Sequence, residues 1–66
     1  MQIIVNGETR PLPPGQTLLD LLQALQLDGR RLAVELNGTI LARSQHGQTR
    51  LADGDRLEII HAVGGG

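Results

Sequence analysis

Apolar residues near the start of the chain have the two-residue period of a strand with one buried face. Ile3 and Val5 share that face. Asn6-Gly7 follows, the dipeptide favoured in two-residue type I′ hairpin turns because both of its positions require positive φ. The pattern therefore predicts a hairpin whose return strand covers about Glu8 to Leu12. Prolines in segment 11–14 end that strand, because proline cannot donate to a sheet ladder.

The next segment has the period of an amphipathic helix. One apolar stripe at i, i+3, i+4 and i+7 consists of Leu18, Leu21, Leu22 and Leu25. Thr17 is a suitable N-cap, with Asp20 at the third position of a capping box. Asp28-Gly29 indicates that the helix ends near residues 25–27. Leu19 falls beside the stripe and is expected to be partly exposed.

A second hairpin is predicted from Leu32 to Leu41, with another Asn-Gly turn at Asn37-Gly38. Segment 42–49 is polar and is predicted to be irregular, with Ser44 as the cap of one helical turn. Asp53-Gly54-Asp55 forms a tight turn before the last strand, which runs from Arg56 to about Ala62.

The predicted element order is ββ-α-ββ-β, with one helix stripe to bury against one face of a mixed sheet. This order indicates a two-layer α+β domain of four to five strands packed on one main helix. If the first and last strands lie side by side and parallel, the arrangement is a β-grasp fold. The predicted domain covers residues 1–63, and residues 64–66 form a flexible glycine tail.

Composition excludes several classes of function. The 66 residues allow one domain, and the chain has no cysteine for a disulfide or a thiolate nucleophile. A net charge of −1 and the lack of aromatic residues argue against nucleic acid and anionic membranes as partners. No signal peptide or membrane span is evident. We expect a cytoplasmic monomer.

The glycine tail, Gly64–Gly66, is the main candidate for chemistry. Glycine has no Cβ, so such a segment is slim and unrestricted in φ. It is suited to carry a terminal carboxylate into a narrow active site of another protein. The alternatives are a terminus that simply frays and a cloning remnant.

Several segments together resemble a known family along the whole chain. They are Met1–Gly7 (MQIIVNG), Ala33–Gly38 (AVELNG), Arg43–His46 (RSQH) and Leu51–Gly66 (LADGDRLEIIHAVGGG). The chain is similar to the ThiS family, the ubiquitin-like β-grasp sulfur carriers of thiamine biosynthesis. Gly65 and Gly66 match the terminal pair of that family, and Gly64 extends the slim segment.

The resemblance implies a reaction at Gly66. An E1-like adenylating enzyme of the ThiF type uses ATP and Mg²⁺ to convert the terminal carboxylate to an acyl-adenylate. Sulfur drawn from cysteine through a desulfurase then gives a thiocarboxylate, which donates sulfur to a thiazole synthase of the ThiG type. The chain is then a cosubstrate, without a catalytic residue, metal or cofactor of its own.

A docking patch is predicted on the open face of the sheet. If Ile3 and Val5 face the helix, Ile4 faces away from it, and the same parity places Ile60 there. The two side chains would form a small apolar patch, with Ala33 and Ala62 nearby and with Arg56 and Glu58 tuning the contact. Such patches mark docking sites, although scattered exposed apolar residues are also common.

The remaining polar candidates favour structural roles. His61 is expected to be a sheet or edge histidine, and His46 lacks neighbouring residues at metal-ligand spacing. Asp53 and Asp55 begin like a calcium loop but lack the rest of that pattern. Two other functions stay open: a sulfur carrier for molybdopterin, tRNA thiolation or cysteine synthesis, and a ubiquitin-like docking module without sulfur chemistry.

Overall fold

The computed structural model describes residues 1–61, which form five strands, one α-helix and one 3₁₀ helix. In chain order these elements are β1 (Gln2–Val5), β2 (Glu8–Pro11), α1 (Leu18–Ala24), β3 (Leu32–Leu36), β4 (Thr39–Leu41), the 3₁₀ helix (Arg43–Gln48) and β5 (Arg56–His61). The predicted order of strands and helix is confirmed.

The five strands form one mixed sheet in the order β2-β1-β5-β3-β4. Both hairpins are antiparallel, and β5 lies between them, parallel to β1 and antiparallel to β3. The first and last strands are therefore neighbours in the middle of the sheet. This is the predicted β-grasp arrangement.

The two Asn-Gly dipeptides form the predicted hairpin turns. Asn6 and Gly7 have φ values of 50° and 83°, and Asn37 and Gly38 have φ values of 50° and 89°. Positive φ at both central positions defines a type I′ turn, whose twist matches that of the flanking strands. Each turn therefore fixes the register of its hairpin.

Helix α1 begins at the predicted capping box. The backbone N–H of Asp20 donates to the Thr17 hydroxyl at 3.1 Å, and the N–H of Thr17 donates to the Asp20 carboxylate at 2.9 Å. The helix ends at Ala24, slightly before the predicted end. Gln26 adopts a φ of 60°, and the N–H of Leu27 donates to the Leu22 carbonyl at 2.8 Å. This left-handed cap, rather than Asp28-Gly29, terminates the helix.

The hydrophobic core lies between α1 and one face of the sheet. Its buried members come from every layer of the domain: Ile3, Val5, Leu12, Leu18, Leu21, Leu22, Val34, Leu51, Leu57 and Ile59. Leu19 is half-buried, as its position beside the stripe predicts. The opposite sheet face has no helix packed on it among the described elements, and it contains both of the exposed large apolar side chains found in residues 1–61, Ile40 and Ile60.

Segment 42–49 is more ordered than its polar sequence predicts. Its 3₁₀ helix has Ala42 as N-cap, so the prediction that Ser44 caps a helical turn is wrong. The Gln45 side chain accepts from the Ala42 N–H at 2.8 Å, which supplies the capping bond. His46 is buried at 7% exposure, where it packs with residues of α1 rather than lying in an open loop.

Helix α1, with seven residues, is far too short to cross a bilayer. Among the residues that the structure describes, no helix meets the length and hydropathy of a membrane span.

Candidate functional site

The predicted reactive tail, Gly64–Gly66, lies outside the described residues, as does the predicted domain boundary at residue 63. The described chain reaches His61, the last residue of β5. The site is therefore built from β5 and from the residues that hold it in place.

The start of β5 is fixed by the turn at Asp53–Asp55. The Asp53 carboxylate accepts from the N–H of Gln2 at 2.7 Å, and the Asp55 carboxylate accepts from the N–H of Ala52 at the same distance. Gly54 has a φ of 85°, which glycine adopts without strain. Asp53 and Asp55 are turn residues, as predicted.

Each hairpin turn also contributes an asparagine side chain to β5. The Asn37 Oδ1 accepts from the N–H of Arg56 at 3.0 Å, and its Nδ2 donates to the Asp55 carboxylate at 3.0 Å. Farther along the strand, the Asn6 Oδ1 accepts from the N–H of Ile59 at 2.7 Å, and its Nδ2 donates to the Ile59 carbonyl at 3.2 Å. The Asn6 amide thereby continues the ladder after β1 has ended.

This role of Asn6 was missed at the sequence level, where the residue is explained fully by its turn. The sequence signal for this role is the asparagine at position 6, because Gly-Gly also suits a type I′ turn but has no side-chain amide. An amide can donate and accept at once, as a backbone peptide group does. Asn6 thus holds the second half of β5, which leads to the C-terminal segment.

We expect Asn6→Gly to lower the free energy of unfolding by about 1–3 kcal/mol, because two partly buried backbone groups of Ile59 lose their partners. Glycine retains the positive φ, so the substitution removes the side chain without straining the turn. Urea unfolding followed by circular dichroism measures the change. Asn37→Gly is the matched control, with a smaller expected loss because its hydrogen bonds are exposed. Equal losses in the two variants would contradict the role of Asn6.

The open face of the sheet carries the predicted docking residues, but in two separate places. In the parallel pair, Ile4 lies opposite Arg56, whereas Ile60 lies four residues farther along β5. At the usual rise of a strand this is about 13 Å. The prediction that Ile4 and Ile60 form one apolar patch is therefore wrong. Strand β1 ends at Val5, before it reaches the level of Ile60.

Ile60 has a different apolar neighbour. It pairs across the antiparallel ladder with Ala33, which was predicted to lie nearby. Ile60 is 53% exposed, whereas Ile4 is half-buried. Ala62, the other predicted neighbour, lies outside the described residues. The apolar part of this face is centred on Ile60 and Ala33.

The charged part of the open face lies toward the start of β5. Glu58 pairs directly with Glu35, and Arg56 is on the same face two residues before Glu58. Arg56 and Glu58 were predicted to belong to this face, but Glu35 was not. Ile40, which pairs with Glu35 and is 68% exposed, was not predicted there either. The alternation of side chains along β3, extended through the Asn37-Gly38 turn to β4, would have placed both Glu35 and Ile40 on the open face.

The two histidines are separated by the fold. His61 is exposed at the end of β5, opposite Leu32 of β3. His46 is buried, and its Nε2 has no hydrogen-bond partner in the part of the chain that the structure describes. Within residues 1–61, no three His, Asp or Glu side chains are grouped in a way that would hold a metal ion.

Comparison with known proteins identifies relatives along the whole chain. The family model described as "ThiS family" matches residues 3–66. The sulfur carrier protein ThiS of Bacillus subtilis is 40% identical over 50 residues, which is 76% of each chain. The crystal structure of the thiamine biosynthesis protein ThiS from Geobacter metallireducens superposes with a TM-score of 0.82 at 34% identity, covering 100% of both chains.

A longer relative has a different name. The thiazole synthase of Paramagnetospirillum magneticum is 41% identical over all 66 residues, but this chain covers only 20% of that protein. The similarity is thus confined to about a fifth of the longer protein. The family model covers nearly the whole chain, and the crystal structure of Geobacter metallireducens ThiS has the same fold throughout. The chain belongs to the ThiS family.

Proposed function

We propose that this chain is a sulfur carrier of thiamine biosynthesis and that the carboxylate of Gly66 is the group that carries the sulfur. One observation carries the proposal: the family model extends from residue 3 to Gly66 and so includes all three terminal glycines. The carrier named ThiS in Bacillus subtilis supports it. The chain acts as a cosubstrate, and its folded domain presents the tail to other enzymes.

The chemistry begins with activation of the carboxylate. A carboxylate oxygen of Gly66 attacks the α-phosphate of ATP, pyrophosphate leaves, and an acyl-adenylate forms. The terminal sulfur of a persulfide, derived from cysteine by a desulfurase, then attacks the acyl carbon and displaces AMP. A thiol then loses its proton and attacks the sulfur that came from the persulfide's cysteine, which forms a new disulfide with that sulfur and releases the Gly66 thiocarboxylate.

The partners follow from these steps. An E1-like adenylating enzyme of the ThiF type binds ATP and Mg²⁺, which this chain does not bind itself. A thiazole synthase of the ThiG type takes the sulfur, and the longer relative with that name supports this pairing. The chain is expected to work as a monomer in the cytoplasm, between these two enzymes.

Intact-protein mass spectrometry tests the proposal. The chain is incubated with ATP, Mg²⁺, the adenylating enzyme from its own organism, a cysteine desulfurase and cysteine. We expect the mass gain of replacing one oxygen by sulfur, localised to Gly66 by fragmentation and absent when ATP is omitted. If an enzyme that is active on another carrier gives neither this product nor an adenylate, the chain is a docking module instead. Sulfur transfer to thiazole synthase then distinguishes thiamine synthesis from the other sulfur pathways.

Ile60 is proposed as the apolar centre of the docking face. We expect Ile60→Asp to leave the fold intact, because the side chain is 53% exposed, and to weaken binding to the adenylating enzyme or to thiazole synthase by about tenfold. Titration calorimetry measures the affinity. Ile40→Asp places the same charge on edge strand β4 and is the matched control, with a smaller expected effect. Unchanged affinity of the Ile60 variant would remove Ile60 from the interface.

Ile4, Arg56 and Glu58 complete the proposed docking face. Ile4 is half-buried and lies opposite Arg56, so these two residues contribute at the other end of β5. The exposed Arg56 and Glu58 are expected to tune the rate of association more than the affinity.

A further inference from the structure

A shallow groove lies at the end of β5. Its volume is about 360 Å³. The residues that line it come from the start of β3, the start of the 3₁₀ helix and the end of β5: Arg31, Leu32, Ala33, Arg43, Ile60 and His61. We call this the β5-end groove.

The charged side chains of the β5-end groove are all basic. Arg31 and Arg43 are exposed, and no Asp or Glu is among the described residues that line the groove. The Arg43 Nη2 donates to the Arg30 carbonyl at 2.9 Å, which holds this guanidinium at the rim. Arg43 is therefore positioned before any partner binds, and less side-chain entropy is lost on contact.

The opposite end of the open face has a different charge. A second groove there is lined by Glu35, Arg56 and Glu58 together with turn residues. Two carboxylates accompany one arginine at that end, whereas among residues 1–61 two arginines and no carboxylate line the β5-end groove. The chain carries a net charge of −1, so this basic rim is a local feature and not part of a generally basic surface.

The floor of the β5-end groove is apolar. Ile60 is 53% exposed and pairs with the exposed Ala33, which gives a small side chain beside a large one. Arg31 and Arg43 line the same groove as this apolar pair. Interfaces commonly have this arrangement of an apolar centre with a polar rim.

We propose that the β5-end groove binds an acidic segment with an apolar anchor residue, supplied by the enzyme that takes up the C-terminal glycines. Carboxylates of that segment pair with Arg31 and Arg43, and its apolar side chain contacts Ile60 and Ala33. His61 lines the groove and precedes Gly66 by five positions in the sequence, so a partner bound here contacts the chain shortly before the tail that it receives. The inference rests on the proposed function, because it requires an enzyme that takes up the tail.

The test is calorimetric titration of the full chain with the adenylating enzyme, at low and at high salt. We expect the double variant Arg31→Gln/Arg43→Gln to bind about tenfold more weakly, in line with two ion pairs at an interface rim. Its affinity also depends less on salt, because screening acts on the lost pairs. Arg31→Glu should weaken binding more than Arg31→Gln, because it adds repulsion to an acidic partner. Amide NMR spectra check that each variant is folded.

Arg10→Gln is the matched control. Arg10 is an exposed arginine on edge strand β2, outside the groove, and its removal should leave the affinity unchanged. A double variant with the original affinity, or equal effects of Arg31→Glu and Arg31→Gln, would overturn the inference and leave the sulfur-carrier function intact. If these variants weaken binding but the unaltered chain forms no adenylate, the result would support the proposed role of the groove and contradict the sulfur-carrier function. No binding by the unaltered chain would overturn both.

Discussion

Deleting Gly66 should abolish formation of the thiocarboxylate while the domain stays folded. The deletion moves the terminal carboxylate back by one residue, up to about 3.6 Å of extended chain. Reacting groups must meet at near-attack distances, and a misplacement of about 1 Å costs roughly a hundredfold in rate. We therefore expect a loss of at least that size in adenylate and thiocarboxylate formation, measured by intact-protein mass spectrometry over time.

Two further measurements show whether the deletion of Gly66 affects the reaction itself rather than folding or binding. The buried core extends from Ile3 to Ile59, so removing Gly66 should leave the urea unfolding curve unchanged. Affinity for the adenylating enzyme should fall much less than the rate. Gly64→Ala is the matched control in the tail, because it keeps the length and is not part of the terminal pair. Thiocarboxylate formation by the shortened chain at the original rate would contradict the role assigned to Gly66.

The local features of the fold could be predicted because short-range rules determine them. The Asn-Gly turns, the capping box of Thr17 and Asp20 and the leucine stripe each depend on residues within a few positions. The helix end is less predictable. Gln26, and not Gly29, is the left-handed residue that ends the helix, because Leu27 is then placed to pack against the core.

The relation between distant strands could not be predicted from local rules. Strand parity assigns Ile4 and Ile60 to one face, but their separation depends on the register between β1 and β5, which are joined by about fifty residues of intervening chain. The burial of His46 also depends on contacts between elements that are distant in the sequence. Its segment is polar, and only the packing of the 3₁₀ helix against α1 removes the side chain from water.

The candidate site also has a part that the sequence predicts and a part that it does not. The chemistry proposed for Gly66 comes from the family resemblance and not from any group whose reactivity is unusual, because a carboxylate becomes an acyl donor only inside a partner enzyme. The Asn6 amide that holds Ile59 was not predicted, since turn chemistry already explained that residue. Only the parallel pairing of β1 with β5 brings the two together.

The central strand β5 should also dominate stability. Leu57 is fully buried, and it pairs with Val5 of β1 on one side and with Leu36 of β3 on the other. Leu57→Ala removes a large side chain where both halves of the sheet meet, and such changes cost about 2–5 kcal/mol. At typical stabilities per residue, a chain of this length has only about 3–10 kcal/mol in total. We expect a large fall in the urea midpoint and partial unfolding at 37 °C.

Ile60→Ala on the same strand shows whether burial is the cause. It removes as many carbon atoms as Leu57→Ala, but from a side chain that is 53% exposed on the open face, so the expected change in unfolding free energy is about 0.5 kcal/mol or less. Urea unfolding of both variants gives the two values under one set of conditions. If the variants lose similar amounts, the open face contributes to the core as much as the helix side does. A large loss at Leu57 alone confirms that β5 has one face that stabilises the domain, which leaves the other free to contact partners.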